Sequence, residues 1–126
     1  MSEATTRGVQ VMVRTQHLPS QSAPPHRWFF VYQVTIRNLG GEPVQLLSRE
    51  WIITDAEGHT ERVRGAGVVG QQPRLDPGES FEYVSGCPLP TPFGTMGGSY
   101  TMRLDNGDTF DAAIATFMLK DPMSMN

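Results

Sequence analysis

Apolar and polar residues alternate along the segment that begins at Trp28, and this alternation constrains the fold more than any other feature. Successive side chains of a β-strand point to opposite faces, so a period of two places one chemical type on each face. Gln33, Thr35 and Arg37 would share the outer face. The opposite face, which should lie against the core, carries Trp28, Phe30, Tyr32, Val34 and Ile36.

A shorter segment near the N-terminus repeats this pattern. Val9, Val11 and Val13 alternate with other side chains, as in a strand with one buried face. The chain contains 13 glycines and 10 prolines, many of them between such segments. These residues end strands and form turns, and no stretch shows a helical period. The sequence therefore predicts an all-β fold.

Turn signals divide the chain into about seven or eight short strands. Residues 18–26 include three prolines and predict a polar connecting loop, whereas Asn38, Gly40 and Gly41 predict a turn into the next strand. Asp76-Pro77-Gly78 is another strong turn signal. The number and spacing of the strands predict a two-sheet β-sandwich of the immunoglobulin-like or fibronectin type III-like kind, with a small barrel as the alternative.

The hairpin around residues 55–58 has a turn sequence that sets the pairing of its strands. Asp at the first position and Gly at the last fit a type I turn with a glycine bulge. This turn would place Trp51 opposite Val63 and Glu50 opposite Arg64.

A second hairpin, around residues 105–108, allows two registers. A two-residue loop would set Met102 opposite Asp111, whereas a bulged turn that ends at Gly107 would set Met102 opposite Phe110. The bulged register is the prediction, because it places apolar side chains on the same face.

The length of the chain limits it to one domain. With 126 residues it can build one hydrophobic core, which at this size removes roughly two-thirds of the unfolded chain's surface from water. We predict a single domain over residues 1–126, with short flexible ends near residues 1–7 and 120–126. The chain shows neither a signal segment nor an apolar run long enough to span a membrane, so a cytoplasmic location is expected.

Charge and motif content argue against several classes of function. A net charge of −3 disfavours a surface for nucleic acid or anionic membranes, because such binding requires clustered cations. Cys87 is the only cysteine, so no internal disulfide can form. His17, His26 and His59 lack the short spacing of a metal site, and no motif supplies a catalytic nucleophile. We expect no enzymatic activity, no cofactor and no bound metal.

The sequence GAGVVG at residues 65–70 has the glycine spacing of dinucleotide-binding loops. In those folds the loop opens a helix whose first amides hold pyrophosphate, and an acidic ribose ligand follows. Here Pro73 and Pro77 prevent such a helix, and Ser85 stands where the acidic residue is expected. We therefore interpret the motif as a tight inter-strand loop whose glycines permit positive φ.

A narrower anion site remains an alternative for this loop. Arg62 and Arg64 precede it on one strand face and Arg74 follows it, so three guanidiniums could converge on pyrophosphate or a nucleotide. The candidate anion-binding residues are Arg62, Arg64, Gly65, Gly67, Gly70 and Arg74. However, Glu50 is the predicted partner of Arg64, and Glu61 is adjacent to Arg62. A solvated charge ladder is the favoured interpretation.

The proline-rich segment at residues 87–93 is the candidate surface for a partner protein. Alternating prolines favour an extended conformation, in which Leu89 and Phe93 would be anchors if they point outward. The candidate partner-binding residues are Pro88, Leu89, Pro90, Pro92 and Phe93. The alternative is a covering loop in which Phe93 closes one end of the sandwich.

Several motifs together make the sequence similar to the ApaG family. They are REWIITD at residues 49–55, GAGVVGQQP at 65–73, PGE at 77–79 followed by Phe81 and Tyr83, the pair Ser85-Gly86, and TPFGTMGGSY at 91–100. The likeness covers essentially the whole chain. The sequence departs from the family at Ala66, where an acidic residue is frequent, at Gly97, where Glu or Gln is frequent, and at Ala115, where Pro is usual.

The resemblance implies a fibronectin-type β-sandwich with no established enzymatic activity. ApaG proteins are associated with cobalt resistance and magnesium efflux in bacteria, and similar domains end an F-box protein and a DNA-polymerase-interacting protein in animals. These contexts imply a non-catalytic protein-interaction module. Its partner would be an unidentified protein, and the chain itself is expected to be a monomer or a homodimer.

Overall fold

A computed structural model describes residues 1–17 and 27–121, which contain strands and turns but no helix. Within these residues the nine strands are β1 (Ser2–Thr6), β2 (Val9–His17), β3 (Trp28–Asn38), β4 (Val44–Asp55), β5 (Thr60–Ala66), β6 (Arg74–Leu75), β7 (Ser80–Leu89), β8 (Phe93–Leu104) and β9 (Thr109–Lys120). They form two antiparallel sheets, in the orders β1-β2-β3-β7 and β5-β4-β8-β9, with β6 also paired to β4. The predicted all-β two-sheet sandwich is confirmed.

Side chains from both sheets form one core. The predicted inner face of β3 lies within it, since Trp28, Phe30, Tyr32, Val34 and Ile36 are all buried. Val9, Val11 and Val13 of β2 are buried beside them. The opposing sheet contributes Leu46, Trp51, Met96, Tyr100 and Met102. The period-two alternation in the sequence therefore identified the buried faces of β2 and β3.

Both predicted hairpin registers are confirmed. Trp51 pairs with Val63 between β4 and β5. Met102 pairs with Phe110 between β8 and β9, as the bulged turn requires. The glycines that end the two turns have positive φ, 85° at Gly58 and 92° at Gly107. Local turn chemistry was thus sufficient to set the strand pairing.

The N-terminal residues form a strand, which corrects the flexible end expected near residues 1–7. Ser2–Thr6 forms β1 and pairs along its whole length with β2. Arg7 and Gly8 connect the two strands, with φ angles of 48° and 84°. Positive φ at both central residues is what a type I′ turn requires, and this turn matches the twist of the flanking strands.

The C-terminal strand also extends further than expected. Lys120 ends β9, and Asp121 is buried and donates its backbone N–H to the carbonyl of Pro92 at 2.9 Å. This contact corrects the start of the flexible end expected near residues 120–126. Residues 122–126, and residues 18–26 where a connecting loop is predicted, lie outside the described residues.

β4 (Val44–Asp55) is one long strand that contains a β-bulge. Its pairing with β8 shifts between Leu46 and Ser48. Side chains alternate along a strand, and one extra residue reverses which of them face inward. Leu46 and Trp51 are therefore both buried although they would lie on opposite faces of a regular strand. Arg49 and Ile53, two residues to either side of Trp51, face inward as well.

The two open sides of the sandwich differ. On one side the edge strands β1 and β9 are joined, since the N–H of Ala113 donates to Thr6 Oγ1 at 3.1 Å. On the other side β7 and β5 are the edge strands of their sheets. A cleft opens between them.

Candidate functional site

The cleft between β5 and β7 has a volume of about 530 Å³, which lies within the ~300–1,000 Å³ typical of ligand pockets. Its apolar part is formed by Tyr32, Trp51, Ile53, Val63 and Met96. Its polar part is formed by Arg49, Asp55, His59, Glu61 and Ser85. An apolar interior with a few polar groups is the arrangement expected of a binding site.

Trp51 forms a rigid floor for this cleft. Its ring centroid lies 5.2 Å from that of Tyr32, 6.2 Å from that of Tyr100 and 6.0 Å from that of Phe117. All three contacts are edge-on, an arrangement that aromatic quadrupoles favour. The floor is therefore fixed by packing before anything enters the cleft.

Arg49 is the cation of the cleft. It lies opposite Gly65 in the ladder between β4 and β5, where an added Cβ would come within 2.7 Å of the guanidinium. Arg49 Nη1 donates to the carbonyl oxygens of Ala66 at 3.1 Å and Gly67 at 2.7 Å. The glycine at position 65 thus leaves room for the half-buried guanidinium, and the two carbonyls orient it.

Three tyrosines share the electrostatic field of Arg49. Burial raises the pKa of Tyr32, Tyr83 and Tyr100 above the ordinary tyrosine value, and the charge of Arg49 opposes that rise at all three. The three side chains are neutral hydrogen-bonding groups at physiological pH. Of the three, Tyr32 lines the cleft and adds a polar group there without adding charge.

The opposite end of the cleft is closed by a hydrogen-bonded turn. Burial alone would raise the pKa of Asp55, but hydrogen bonds from the amides of His59 and Glu57 lower it below the ordinary value. Thr91 Oγ1 accepts from the amide of Ala56 at 3.1 Å and donates to the carbonyl of Phe93 at 2.7 Å. The β4–β5 and β7–β8 connections are therefore tied together beside the cleft.

Cys87 lines the cleft but lacks the properties of a nucleophile. Burial raises the pKa of its thiol to about 11, and the nearby negative charge of Glu61 adds to the rise. Reactive cysteines have a lowered pKa and a cationic neighbour. A structural role for the Cys87 thiol fits this environment.

The structure separates the three arginines of the sequence-predicted anion site. Arg62 and Arg64 both contact Glu50, at 3.1 Å and 2.5 Å, which forms the predicted charge ladder. Arg74 contacts Asp76 at 2.6 Å and Asp105 at 2.9 Å. In the ladders with β4, Arg74 lies opposite Gln45 and Arg64 lies opposite Glu50. Five residues along β4 therefore separate Arg74 from Arg64, a distance of ~16 Å along the strand. The three guanidiniums do not converge.

The glycine loop is a tight turn. The amide of Gly67 donates to the carbonyl of Leu47, and Val68 and Gln71 exchange N–H to carbonyl bonds of 2.8 and 2.9 Å. Positive φ occurs at Gly67 (62°), Val69 (43°) and Gly70 (79°), but not at Gly65. Because the amides of Gly67, Val68 and the adjacent Gln71 already donate within the protein, the loop does not gather its N–H groups around an anion site.

The proline-rich segment is mostly strand and not an exposed loop, which corrects the prediction for residues 87–93. Cys87, Pro88 and Leu89 end β7, where they pair with β3. Alternation turns Leu89 into the core at 3% exposure, so it cannot be an outward anchor. Phe93 begins β8 and is half-buried, Pro92 is also half-buried, and Pro88 and Pro90 are exposed.

Sequence reasoning missed the role of Arg49 and did not place the residues that line the cleft. A signal was present, since Leu46 and Trp51 are both large and apolar at an odd spacing. Such spacing requires a bulge if both are to be buried in one strand. With the bulge included, the inward position of Arg49 follows.

In the part of the chain that the structure describes, the remaining candidate metal ligands do not come together. His17 Nδ1 lies 3.5 Å from Asp121 Oδ1 at the far end of β2, and His26 lies outside the described residues. In residues 1–17 and 27–121, no group of three or more His, Cys, Asp or Glu side chains is placed to hold a metal ion. The same residues contain no helix that is long and apolar enough to cross a membrane.

Comparison with known proteins identifies the family. The ApaG domain model matches residues 19–104. Protein ApaG of Methylobacterium sp. (strain 4-46) is 54% identical over 123 residues, which cover 97% of this chain and 95% of that protein. Protein ApaG of Anaeromyxobacter dehalogenans (strain 2CP-1) is 54% identical over 126 residues, the full length of both. A crystal structure from Bordetella pertussis, described as an ApaA protein, is 52% identical with a TM-score of 0.88, covering 90% of this chain and 94% of that chain. The chain therefore belongs to the ApaG family.

Proposed function

We propose that this protein is a non-catalytic interaction module that binds an extended segment of a partner protein along β7. The observation that carries the proposal is the position of β7, a ten-residue edge strand that borders the cleft. No strand in the described part of the chain pairs with its outer edge. An edge strand presents unpaired N–H and carbonyl groups, and a peptide can add to it as a further strand.

The other edges are less suited to strand addition. β1 and β9 approach each other, with a hydrogen bond between Thr6 and Ala113. β5 carries Glu61, Arg62 and Arg64, and charges on an edge discourage pairing. By contrast, β7 has Glu82 as its only charged residue. β7 also exposes 60% of Val84 to solvent, so an added strand would cover apolar surface there.

The proposal offers an explanation for the association of ApaG proteins with cobalt and magnesium. Cobalt resistance and magnesium efflux, which the ApaG resemblance implies, would depend on a cytoplasmic partner that handles these ions. This protein would bind that partner and would not itself carry the ions.

Binding of peptides selected from a random library tests the proposal. The full chain is immobilised and panned against phage-displayed peptides of about nine residues, a length matched to the ten residues of β7. Enriched peptides are then synthesised with N-methyl groups on alternate backbone nitrogens. Only alternate amides of an added strand face β7, so one methylated set should bind at least about tenfold more weakly, a loss of ~1.4 kcal/mol. The other set should bind as the parent peptide does.

A matched pair of protein variants locates the binding edge. Val84→Lys places a charge on the exposed side of β7, and Met118→Lys places one at a similarly exposed position on β9. We expect Val84→Lys to weaken peptide binding and Met118→Lys to leave it unchanged. Equal binding of both methylated peptide sets, or equal effects of the two variants, would refute strand addition at β7.

A further inference from the structure

We infer that the partner segment carries an acidic side chain two residues from a large apolar one, so that the acid meets Arg49 while the apolar side chain enters the cleft over Trp51. The inference rests on the proposed strand addition at β7 and specifies the partner that this edge selects. It assigns a recognition role to Arg49, a residue outside both sites predicted from the sequence.

The guanidinium of Arg49 bonds to backbone carbonyls, although the carboxylates of Asp55 and Glu61 line the same cleft. None of the ion pairs in residues 1–17 and 27–121 joins Arg49 to a carboxylate. Its Nη1 is held by the carbonyls of Ala66 and Gly67, which fixes the direction of the planar fork. A half-buried guanidinium that is held in place favours a carboxylate as its ligand, because its planar N–H groups can donate to both carboxylate oxygens at once.

The remainder of the cleft suits an apolar side chain. Trp51, Ile53, Val63 and Met96 provide its surface. Trp51 is held rigidly by aromatic neighbours, so the apolar surface is formed before binding. Binding into a preformed site avoids the entropy that ordering a flexible site would require.

The spacing of the two groups follows from strand geometry. Arg49, Trp51 and Ile53 face inward at every second residue of β4, so their levels differ by ~6.6 Å. An added strand also directs every second side chain into the cleft, with the same spacing. When an acidic residue of the added strand lies beside Arg49, the residue two positions along that strand therefore lies beside Trp51.

Residues of β7 and β5 fix the register of this pattern. Arg49 pairs with Tyr100, whose hydroxyl bonds to that of Tyr83 on β7. One level further along, the ring of Trp51 lies 5.2 Å from that of Tyr32, which pairs with Ser85 of β7. Glu61 pairs with Ile53, two residues beyond Trp51, so an acid placed there would meet a like charge. The polarity of the cleft thus favours the acid at the level of Arg49 and the apolar residue at the level of Trp51.

The test compares matched peptides on matched proteins. In the peptides selected on the full chain, we expect enrichment of Asp or Glu two positions from Phe, Trp, Leu, Ile or Met. In a selected peptide, exchange of Glu for Gln should weaken binding about tenfold, as loss of a charge-assisted pair would. Exchange of the apolar residue for Ser should weaken it at least as much. These exchanges are made in the peptide and leave the folding of the protein untouched.

Protein variants assign the acid preference to Arg49. In Arg49→Gln the two peptides should bind equally, whereas in Arg62→Gln, which alters an exposed arginine on the opposite face of the sheet, the tenfold preference should persist. Gly65→Ala keeps the charge but displaces the guanidinium, because the new Cβ would lie 2.7 Å from Arg49 Nη2. This variant should also lose the preference, and its unfolding transition reports that the fold is retained.

The outcomes separate the inference from the proposed function. Peptides that bind along β7 without an acid preference would overturn the inference and leave the proposed function standing. An acid preference that survives in both Arg49→Gln and Gly65→Ala would also overturn it. Self-association abolished by Val84→Lys would show that a second copy of the chain, and not a partner segment, adds to the β7 edge, against the inference. Absence of any binding along β7 would refute both proposals.

Discussion

The hydroxyl groups of Tyr83 and Tyr100 hydrogen-bond to each other across the interior of the sandwich. Tyr83 belongs to β7 and Tyr100 to β8, so the bond links the two sheets directly behind the cleft. Tyr83 is 8% exposed and Tyr100 is 0% exposed, and neither hydroxyl can turn to solvent for a partner. Each tyrosine therefore depends on the other to satisfy a buried polar group.

This mutual dependence predicts strong coupling in a double-mutant cycle. Tyr83→Phe should leave the Tyr100 hydroxyl unpaired in the core, and a buried unpaired group costs ~1–3 kcal/mol of unfolding free energy. The double Phe variant removes both hydroxyls and should be more stable than the sum of the single losses predicts. Urea unfolding of the four proteins measures the coupling. Additive losses would show that each hydroxyl has another partner.

Alkaline pH should destabilise the fold through the same tyrosines. Burial raises the pKa of Tyr83 and Tyr100 above the ordinary tyrosine value of 10.0. Above that pH the unfolded chain releases the phenolic protons while the folded chain retains them. The unfolded state then binds fewer protons, so the unfolding free energy falls as pH rises. Urea unfolding should show the decrease beginning near pH 10, and it should be smaller in the double Phe variant. An unchanged slope in that variant would assign the effect to other groups.

Cys87 should react slowly with alkylating reagents at neutral pH. The thiolate is the reactive form, and burial raises the pKa of this thiol from 9.0 to about 11. At pH 8, a thiol with a pKa of about 11 has an about hundredfold smaller thiolate fraction than one with a pKa of 9.0. The rate of iodoacetamide labelling should therefore still be rising between pH 9 and pH 11, whereas the urea-unfolded chain should level off earlier. Identical pH profiles for the folded and unfolded chain would contradict this environment.

The glycines of the GAGVVG loop should differ in their tolerance of Ala. Gly67 has φ of 62° and an added Cβ would lie 2.2 Å from the carbonyl oxygen of Gln71, so Gly67→Ala should be the most destabilising. Gly70 has φ of 79° but open space around it, and Gly70→Ala should cost ~1 kcal/mol from backbone strain alone. Gly65→Ala meets only the movable end of Arg49 and should be the mildest. A different order of unfolding free energies would contradict the loop geometry.

The features that the sequence predicted are those that local chemistry determines. The turn at residues 55–58 sets Trp51 against Val63, and the bulged turn at Gly107 sets Met102 against Phe110. Each depends on a few adjacent residues with defined φ preferences. The strand β1 was missed because the apolar content of Ser2–Thr6 is low. Its formation depends on pairing with β2, and the glycine at position 8, which permits a tight turn, is the only local signal for this hairpin.

The candidate site was harder to predict because it depends on distant pairing. Glu50 and Arg64 are neighbours through one hairpin, so their ion pair could be predicted. Arg74 was assigned to the same site because it is near in sequence, yet it pairs at another level of β4. The inward direction of Arg49 depends on a bulge that forms where β4 pairs with β8. A shift of one residue exchanges the two faces of a strand, so this side chain can be placed only when the bulge between Leu46 and Trp51 is recognised.

Pyrophosphate should not stabilise the wild-type protein. Glu50 already pairs with both Arg62 and Arg64, and Arg74 is held by two aspartates elsewhere. A ligand that binds the folded state raises the melting temperature by mass action, so weak or absent binding leaves it unchanged. We expect no saturable shift at millimolar pyrophosphate in moderate salt. Glu50→Gln is the informative comparison, since it releases both arginines and should produce a shift that salt screens. A saturable shift in the wild type that Arg64→Ala abolishes would instead establish an anion site at the start of the glycine loop.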